Sequence, residues 1–115
     1  MITKELLSEV LTNTYGENFQ IYEFEEAFTF EGYHFTYDYS DNNIEKDSIN
    51  IYELAHKCKE WAFNNYGIDI KTSRRTFGFV AKLGIGTHTN GQQTADTEPE
   101  AIFKACQWIL DNKEK

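Results

Sequence analysis

The chain has 115 residues, of which 40% are hydrophobic and 16% aromatic, and it carries a formal net charge of −8. These values are typical of one globular domain over residues 1–115, and a single proline with seven glycines argues against a flexible linker. No apolar run reaches membrane length, and the start lacks a basic segment followed by an apolar stretch, so we expect a cytoplasmic protein without a membrane partner.

The charge is divided unevenly along the chain. Residues 1–50 hold eleven acidic and two basic residues, a balance of −9, whereas residues 51–115 hold eight acidic and nine basic residues, a balance of +1. The acidic half disfavours nucleic acid, because phosphate binding requires the opposite charge. It suits a basic protein partner, although an acidic surface also serves solubility alone.

The first half predicts a helix and a β-hairpin. Thr3 is placed to cap a helix over residues 4–13, whose apolar residues recur at helical spacing. Aromatic residues then alternate with polar ones on both sides of Glu31-Gly32. A two-residue turn there pairs Phe30 with Tyr33, Phe28 with Phe35 and Phe24 with Tyr39. If Phe19 and Ile21 form an earlier strand, the turn moves to residues 25–27.

The second half predicts a further helix and hairpin. Asn50 and Glu53 form a capping pair for a helix from Ile51 to about Tyr66, which Gly67 ends. We expect strands over 68–72 and 77–85, with a turn at residues 73–75 between them. Asn90-Gly91 is a strong turn signal, which returns residues 92–95 as a short edge strand.

The closing helix has the clearest local signals. Thr97 is a cap whose hydroxyl accepts the N–H of Glu100, Pro99 lies in the first turn, and apolar rows run to Leu110. The predicted fold is therefore α+β, with an antiparallel sheet of about four strands packed by three helices in the order α-ββ-α-ββ-α. Each hairpin has one apolar face, as expected of a sheet covered by helices.

Two sets of residues are candidates for function. One lies in the first half, and the other combines residues of the first half with one near the second hairpin. The first is an acidic surface on the first hairpin, and its members are Glu23, Glu25, Glu31 and Asp38. The second is a histidine and hydroxyl set for a phosphate or nucleotide pocket, namely His34, Thr36 and His88. No second His-x-Thr or His-x-Ser element accompanies His34, so an exposed strand histidine is the simpler interpretation.

The remaining polar patterns do not predict catalysis or a cofactor. His56 and Cys58 lie about 200° apart around their helix, so they cannot bind one metal ion together. Cys58 and Cys106 belong to apolar stripes, which predicts buried free thiols. Four basic residues near two phenylalanines resemble a small nucleic-acid patch (Lys71, Arg74, Arg75 and Lys82, with Phe77 and Phe79). They are few against a net charge of −8, and we expect the phenylalanines in the core, so we do not expect a nucleic-acid partner.

Two segments resemble small bacteriophage and prophage proteins: residues 49–62, from Ile49-Asn50-Ile51 to Glu60-Trp61-Ala62, and residues 95–110, which include Thr97-Glu98-Pro99-Glu100-Ala101-Ile102. The order of elements is similar to that of the phage α/β/α sandwich domain. This resemblance implies a phage or prophage origin and a place in the bacterial cytoplasm. It implies no activity, and hence no functional residues.

Three hypotheses follow. We expect a non-enzymatic phage accessory protein that binds a host or phage protein, including a host defence or regulatory protein, through its acidic first half. The alternative is a nucleotide- or phosphate-binding protein or enzyme that uses the His/Thr set. A third hypothesis is a self-associating homo-oligomer, because one hairpin carries more aromatic residues than one sheet face is expected to bury.

Overall fold

The computed structural model describes residues 2–16, 20–24, 27–31, 36–40, 51–85 and 88–112. The helices are α1 (Lys4–Tyr15), α2 (Ile51–Tyr66) and α3 (Glu98–Asn112). The strands are β1 (Gln20–Phe24), β2 (Ala27–Glu31), β3 (Thr36–Ser40), β4 (Asp69–Arg75), β5 (Gly78–Ile85) and β6 (His88–Ala95). This arrangement confirms the α+β class and the alternation of helices with β units. Six strands are described where about four were expected, and β6 is the expected edge strand, which is longer than residues 92–95.

The strands form two antiparallel sheets rather than one. The first sheet has the order β1-β2-β3 and the second has the order β4-β5-β6. Helix α3 packs across all three strands of the second sheet and against α2, while α1 packs against α2, α3 and β1. The core therefore lies between the helices and the second sheet, and the first sheet joins it chiefly through β1.

Local capping sets the starts of α1 and α3 and the end of α2, as the sequence predicts. The Thr3 hydroxyl accepts the N–H of Leu6 at 3.2 Å, and the Thr97 hydroxyl accepts the N–H of Glu100 at 3.4 Å. Gly67 adopts φ 67° directly after α2, and its N–H donates to the carbonyl oxygen of Phe63 at 3.0 Å. These contacts satisfy backbone groups that a helix end leaves unpaired. The expected Asn50–Glu53 pair involves Asn50, which lies outside the described residues.

The predicted pairing of the first hairpin is wrong, and the earlier strand of the stated alternative is confirmed, so the chain reverses both between β1 and β2 and between β2 and β3. Strands β1 and β2 flank Glu25 and Glu26, so the chain reverses before Ala27 rather than only at Glu31-Gly32. Strand β2 then pairs with β3 in another register, with Phe30 opposite Tyr37 and Phe28 opposite Tyr39. Alternating aromatic residues fix which positions share a face only within one continuous strand, and they fix neither where a strand ends nor which residues pair.

Two turns of the second sheet also differ from the prediction. Strand β4 continues through residues 73–75, and Thr76 and Phe77 form the turn, because Arg75 pairs with Gly78. Asn90-Gly91 lies inside β6, where the register shifts by one residue between Ala81 and Leu83 of β5. A bulge accommodates an extra residue in this way, so the turn signal marks an irregularity within the strand.

The helices cover one face of the second sheet. Ile70, Ala81 and Leu83 point to that face and are at most 2% exposed. Lys71 and Lys82, which alternate with them, are exposed. Alternate residues of a strand point to opposite faces, so the face that carries these lysines is the outer face of the second sheet.

Candidate functional site

Residues that pair across the three strands of the first sheet form rows, and successive rows face opposite sides of the sheet. Ile21 is 4% exposed and belongs to the core, so its row faces the helices. Tyr22 lies on the opposite face of β1 and is 45% exposed. Its row continues through Thr29 to Asp38 of β3. We call the face that carries Tyr22 the outer face of the first sheet.

The predicted acidic surface is divided between these faces. Glu31 lies in the row of Gln20 and Thr36, two positions from the Tyr22 row, and therefore on the outer face with Asp38. Glu23 pairs with Phe28 in a row that belongs to the Ile21 face. Its expected place on one face with Asp38 is wrong, because the chain reverses between β1 and β2 instead of running on as one strand. Glu25 lies outside the described residues.

The histidine and hydroxyl set is spread over both sheets. Thr36 begins β3 in the first sheet, and His88 begins β6 in the second. His34 lies outside the described residues. The described backbone thus places Thr36 and His88 on different sheets and offers no shared row that would favour a phosphate pocket.

The outer face of the second sheet is basic. Lys71 of β4 pairs directly with Lys82 of β5, and Arg75 lies on the same face, four residues along β4 from Lys71. The acidic residue Asp69 approaches Lys71 at 3.9 Å, with both side chains more than half exposed. Residues 69–96 contain four basic residues and two acidic residues, a balance of +2 in a chain of −8.

The β4–β5 turn adds an aromatic side chain to this basic region. Phe77 is 63% exposed, which contradicts the expectation that it lies in the core. Arg74, Arg75, Thr76 and Phe77 together line an open depression at the tip of the hairpin. Phe79 does pack against the core, so only one of the two phenylalanines behaves as expected. The interpretation of Phe77 depended on the turn position, which the sequence pattern misplaced by about three residues.

The two cysteines are buried free thiols, as predicted, and they are neighbours. The Cys106 thiol donates to the carbonyl oxygen of Cys58 with 3.5 Å between sulfur and oxygen. Burial raises the pKa of the Cys58 thiol, and its hydrogen bond and charge interaction with Cys106 raise it further. A thiol that resists ionisation is a poor nucleophile, so the Cys58 thiol serves packing.

Two further clefts in the described part of the chain are smaller than most ligand sites, and the larger, of about 250 Å³, lies beside Ile2, Thr3, Phe103 and Gln107. A cleft of about 100 Å³ lies between α2 and the start of α3, beside Tyr52, His56, Lys59 and Pro99. Sites for cofactors and drug-sized ligands usually occupy about 300–1,000 Å³. Within the described ranges, no group of three histidine, cysteine, aspartate or glutamate residues is placed to hold a metal ion.

The described helices include none that combines the length and the apolar character needed to cross a membrane. Comparison with known protein families, curated proteins and solved structures gives no match for this chain. The resemblance to phage proteins therefore remains a hypothesis, and the case for a function depends on the two charged sheets.

Proposed function

We propose that this chain is a non-enzymatic accessory protein of a phage or prophage, which acts in the bacterial cytoplasm by binding a host or phage protein. The binding surface is the outer face of the first sheet. The observation that carries the proposal is the exposed Tyr22 in the same row as Asp38, with Glu31 on the same face.

The chemistry of this face suits a basic protein partner. Tyrosine is enriched in protein interfaces, because it combines a large apolar ring with a polar hydroxyl. The acidic residues around it belong to a half-chain with a balance of −9, which attracts a basic surface and speeds its association. Strand β1 fixes this face relative to the core, because Ile21 on its other side is buried.

The test compares a charge-reversed face with a matched control. Glu31→Lys/Asp38→Lys changes the outer face of the first sheet, and Glu60→Lys/Asp111→Lys makes the same net change at exposed positions of α2 and α3. Affinity capture from a bacterial lysate identifies a bound protein, which is then purified and titrated against each variant. We expect the first variant to bind at least about tenfold more weakly than the control.

Two results would contradict the proposal. One is an equal affinity of both variants for the captured protein, which would place its site elsewhere. The other is a failure of the wild-type chain to retain any protein at moderate salt. Light scattering on the same samples tests the self-association hypothesis, since a stable homo-oligomer would place a second copy of this chain on the exposed aromatic residues.

A further inference from the structure

We infer that the outer face of the second sheet, together with the β4–β5 turn, binds single-stranded nucleic acid. This site is separate from the proposed protein-binding face. The inference depends on three observations, which are a facing pair of exposed lysines, an exposed arginine on the same face and an exposed phenylalanine at the tip (Lys71 and Lys82, Arg75, and Phe77).

The lysine pair is the first sign of a ligand. Directly opposed residues in an antiparallel pair have Cβ atoms about 4.5–5.5 Å apart, and like charges there are destabilising. Lys71 and Lys82 occupy such positions, and the contact of Lys71 with Asp69, at 3.9 Å between exposed groups, compensates little. A bound phosphate between the two ammonium groups would relieve this repulsion.

The surroundings of the lysines extend the basic surface toward the turn. Arg75 is four residues from Lys71 on β4, about 13 Å along an extended strand. Val80 lies between them on β5, paired with Ser73, and is only 2% exposed although it is outside the main core cluster. The Lys71 side chain is 82% exposed, so its ammonium group is accessible to a ligand beside this buried position.

Phe77 favours a single strand over other polyanions. A phenylalanine that is 63% exposed gains nothing from the core, and it shares the depression at the tip with Arg74 and Arg75. Proteins that bind single strands without sequence preference combine a basic track with aromatic rings on which bases stack. Paired bases of a duplex are not available for such stacking, so we expect duplex DNA to bind more weakly.

The overall negative charge does not oppose this assignment at moderate salt. Between residues 69 and 96 there are two acidic residues, Asp69 and Asp96, and the second lies beside Gly78 near the tip, while the excess of acids lies in residues 1–50. Exposed charges separated by more than about 8 Å are largely screened at physiological ionic strength. A nucleic acid strand on the outer face of the second sheet therefore responds mainly to the local basic residues.

Fluorescence anisotropy with labelled oligonucleotides tests the inference. The probes are deoxythymidine and uridine oligomers of roughly 20 nucleotides, longer than the usual footprint of about 4–16 nucleotides. Titration between about 0.05 and 0.2 M salt should give a slope of log K against log salt of roughly −2 to −3, as three or four phosphate contacts predict. The two probes distinguish DNA from RNA as the preferred strand.

The variants separate this site from a general charge effect. Lys71→Glu/Lys82→Glu should weaken binding by roughly tenfold or more, whereas the charge-matched Lys4→Glu/Lys59→Glu should bind within about twofold of the wild type. Phe77→Ala should cost about tenfold and Phe77→Trp should retain the affinity, because the ring stacks on a base. The first-sheet variant Glu31→Lys/Asp38→Lys should keep this binding, so failure of one proposal is distinguishable from failure of the other.

Four results would overturn the inference. These are the absence of binding to both oligomers, an equal loss in the two charge-reversed variants, an unchanged affinity of Phe77→Ala, and equal competition by duplex DNA and by heparin. The last two would indicate a surface that attracts any polyanion. Light scattering that shows Lys71→Glu/Lys82→Glu dissociating a homo-oligomer would instead assign the face to a second copy of this chain.

Discussion

The Cys106 thiol donates a hydrogen bond to the backbone carbonyl oxygen of Cys58 and so joins α3 to α2 inside the core. Both side chains are 0% exposed. The apolar periodicity of each helix predicts two buried cysteines, but their contact depends on how α2 and α3 cross. The neighbouring thiols are therefore part of the tertiary structure, and their properties report on the integrity of the core.

The stability of the protein should fall as the pH rises above about 8.5, the ordinary pKa of an unfolded cysteine. Below this pH the Cys58 thiol is neutral in both states, and its contribution is fully present. Above it the unfolded thiol ionises while the folded thiol keeps its proton, because burial raises the pKa of Cys58 in the folded protein. Urea unfolding from pH 7 to 10 should show a smaller decline for Cys58→Ala than for the wild type, and parallel declines would contradict this account.

Gly78 should be the least replaceable of the described glycines with a positive φ. It adopts φ 134°, and an added Cβ would collide with the carbonyl oxygen of Ala95 and lie 3.2 Å from the Cα of Asp96. Gly78→Ala should lower the free energy of unfolding by about 2 kcal/mol or more. Gly67→Ala is the control, because φ is 67° there with open space around the site, and it should cost only about 1 kcal/mol.

Thr3 should stabilise the fold by more than its capping role alone. Its hydroxyl accepts the N–H of Leu6 and also donates to the side-chain oxygen of Gln107 at 2.6 Å, which connects the start of α1 to α3. Thr3→Ala should cost about 1–2 kcal/mol, while Thr3→Ser, which keeps the hydroxyl, should cost less than half of that. Thermal unfolding of the two variants decides this, and equal losses would show that the Thr3 methyl group matters instead.

Trp61 should be the most sensitive aromatic position of α2. It is 1% exposed, and its ring meets the Tyr66 ring edge-on with centroids 5.4 Å apart. Trp61→Leu should lower the free energy of unfolding by about 3 kcal/mol, because it removes buried contacts and leaves a cavity. Phe63→Leu on the same helix changes a residue that is 61% exposed, and denaturant unfolding should show a change within about 0.5 kcal/mol.

The sequence predicts the helices better than the strands for a physical reason. Thr3, Thr97 and Gly67 each act on backbone groups within a few residues, so their effect is visible in the local pattern. The pair Asn90-Gly91 suits both a hairpin turn and a bulge, and only the pairing of β6 with β5 shows which of the two forms. Strand register depends on contacts between distant parts of the chain, which a single sequence does not display.

The candidate sites also combine features that the sequence displays with features that depend on strand pairing. The charge imbalance of residues 1–50 and the basic run from Lys71 to Lys82 can be counted in the sequence. The opposition of Lys71 to Lys82, the exposure of Phe77 and the separation of Glu23 from Asp38 all depend on register and turn position. Because the turn was predicted a few residues too early, Phe77 was expected in the core, whereas the structure exposes it to solvent.

The isoelectric point of about 4.8 describes the chain as a whole. Because the two halves differ in charge, it does not describe the electrostatic potential at the second sheet. At very low salt the Debye length grows to about 30 Å, and an approaching polyanion experiences the whole negative molecule. At physiological salt the screening distance shrinks to about 8 Å, and the second sheet acts as a local cation. Association of a nucleic acid should therefore be slow in dilute buffer, fastest at intermediate ionic strength and slow again in concentrated salt.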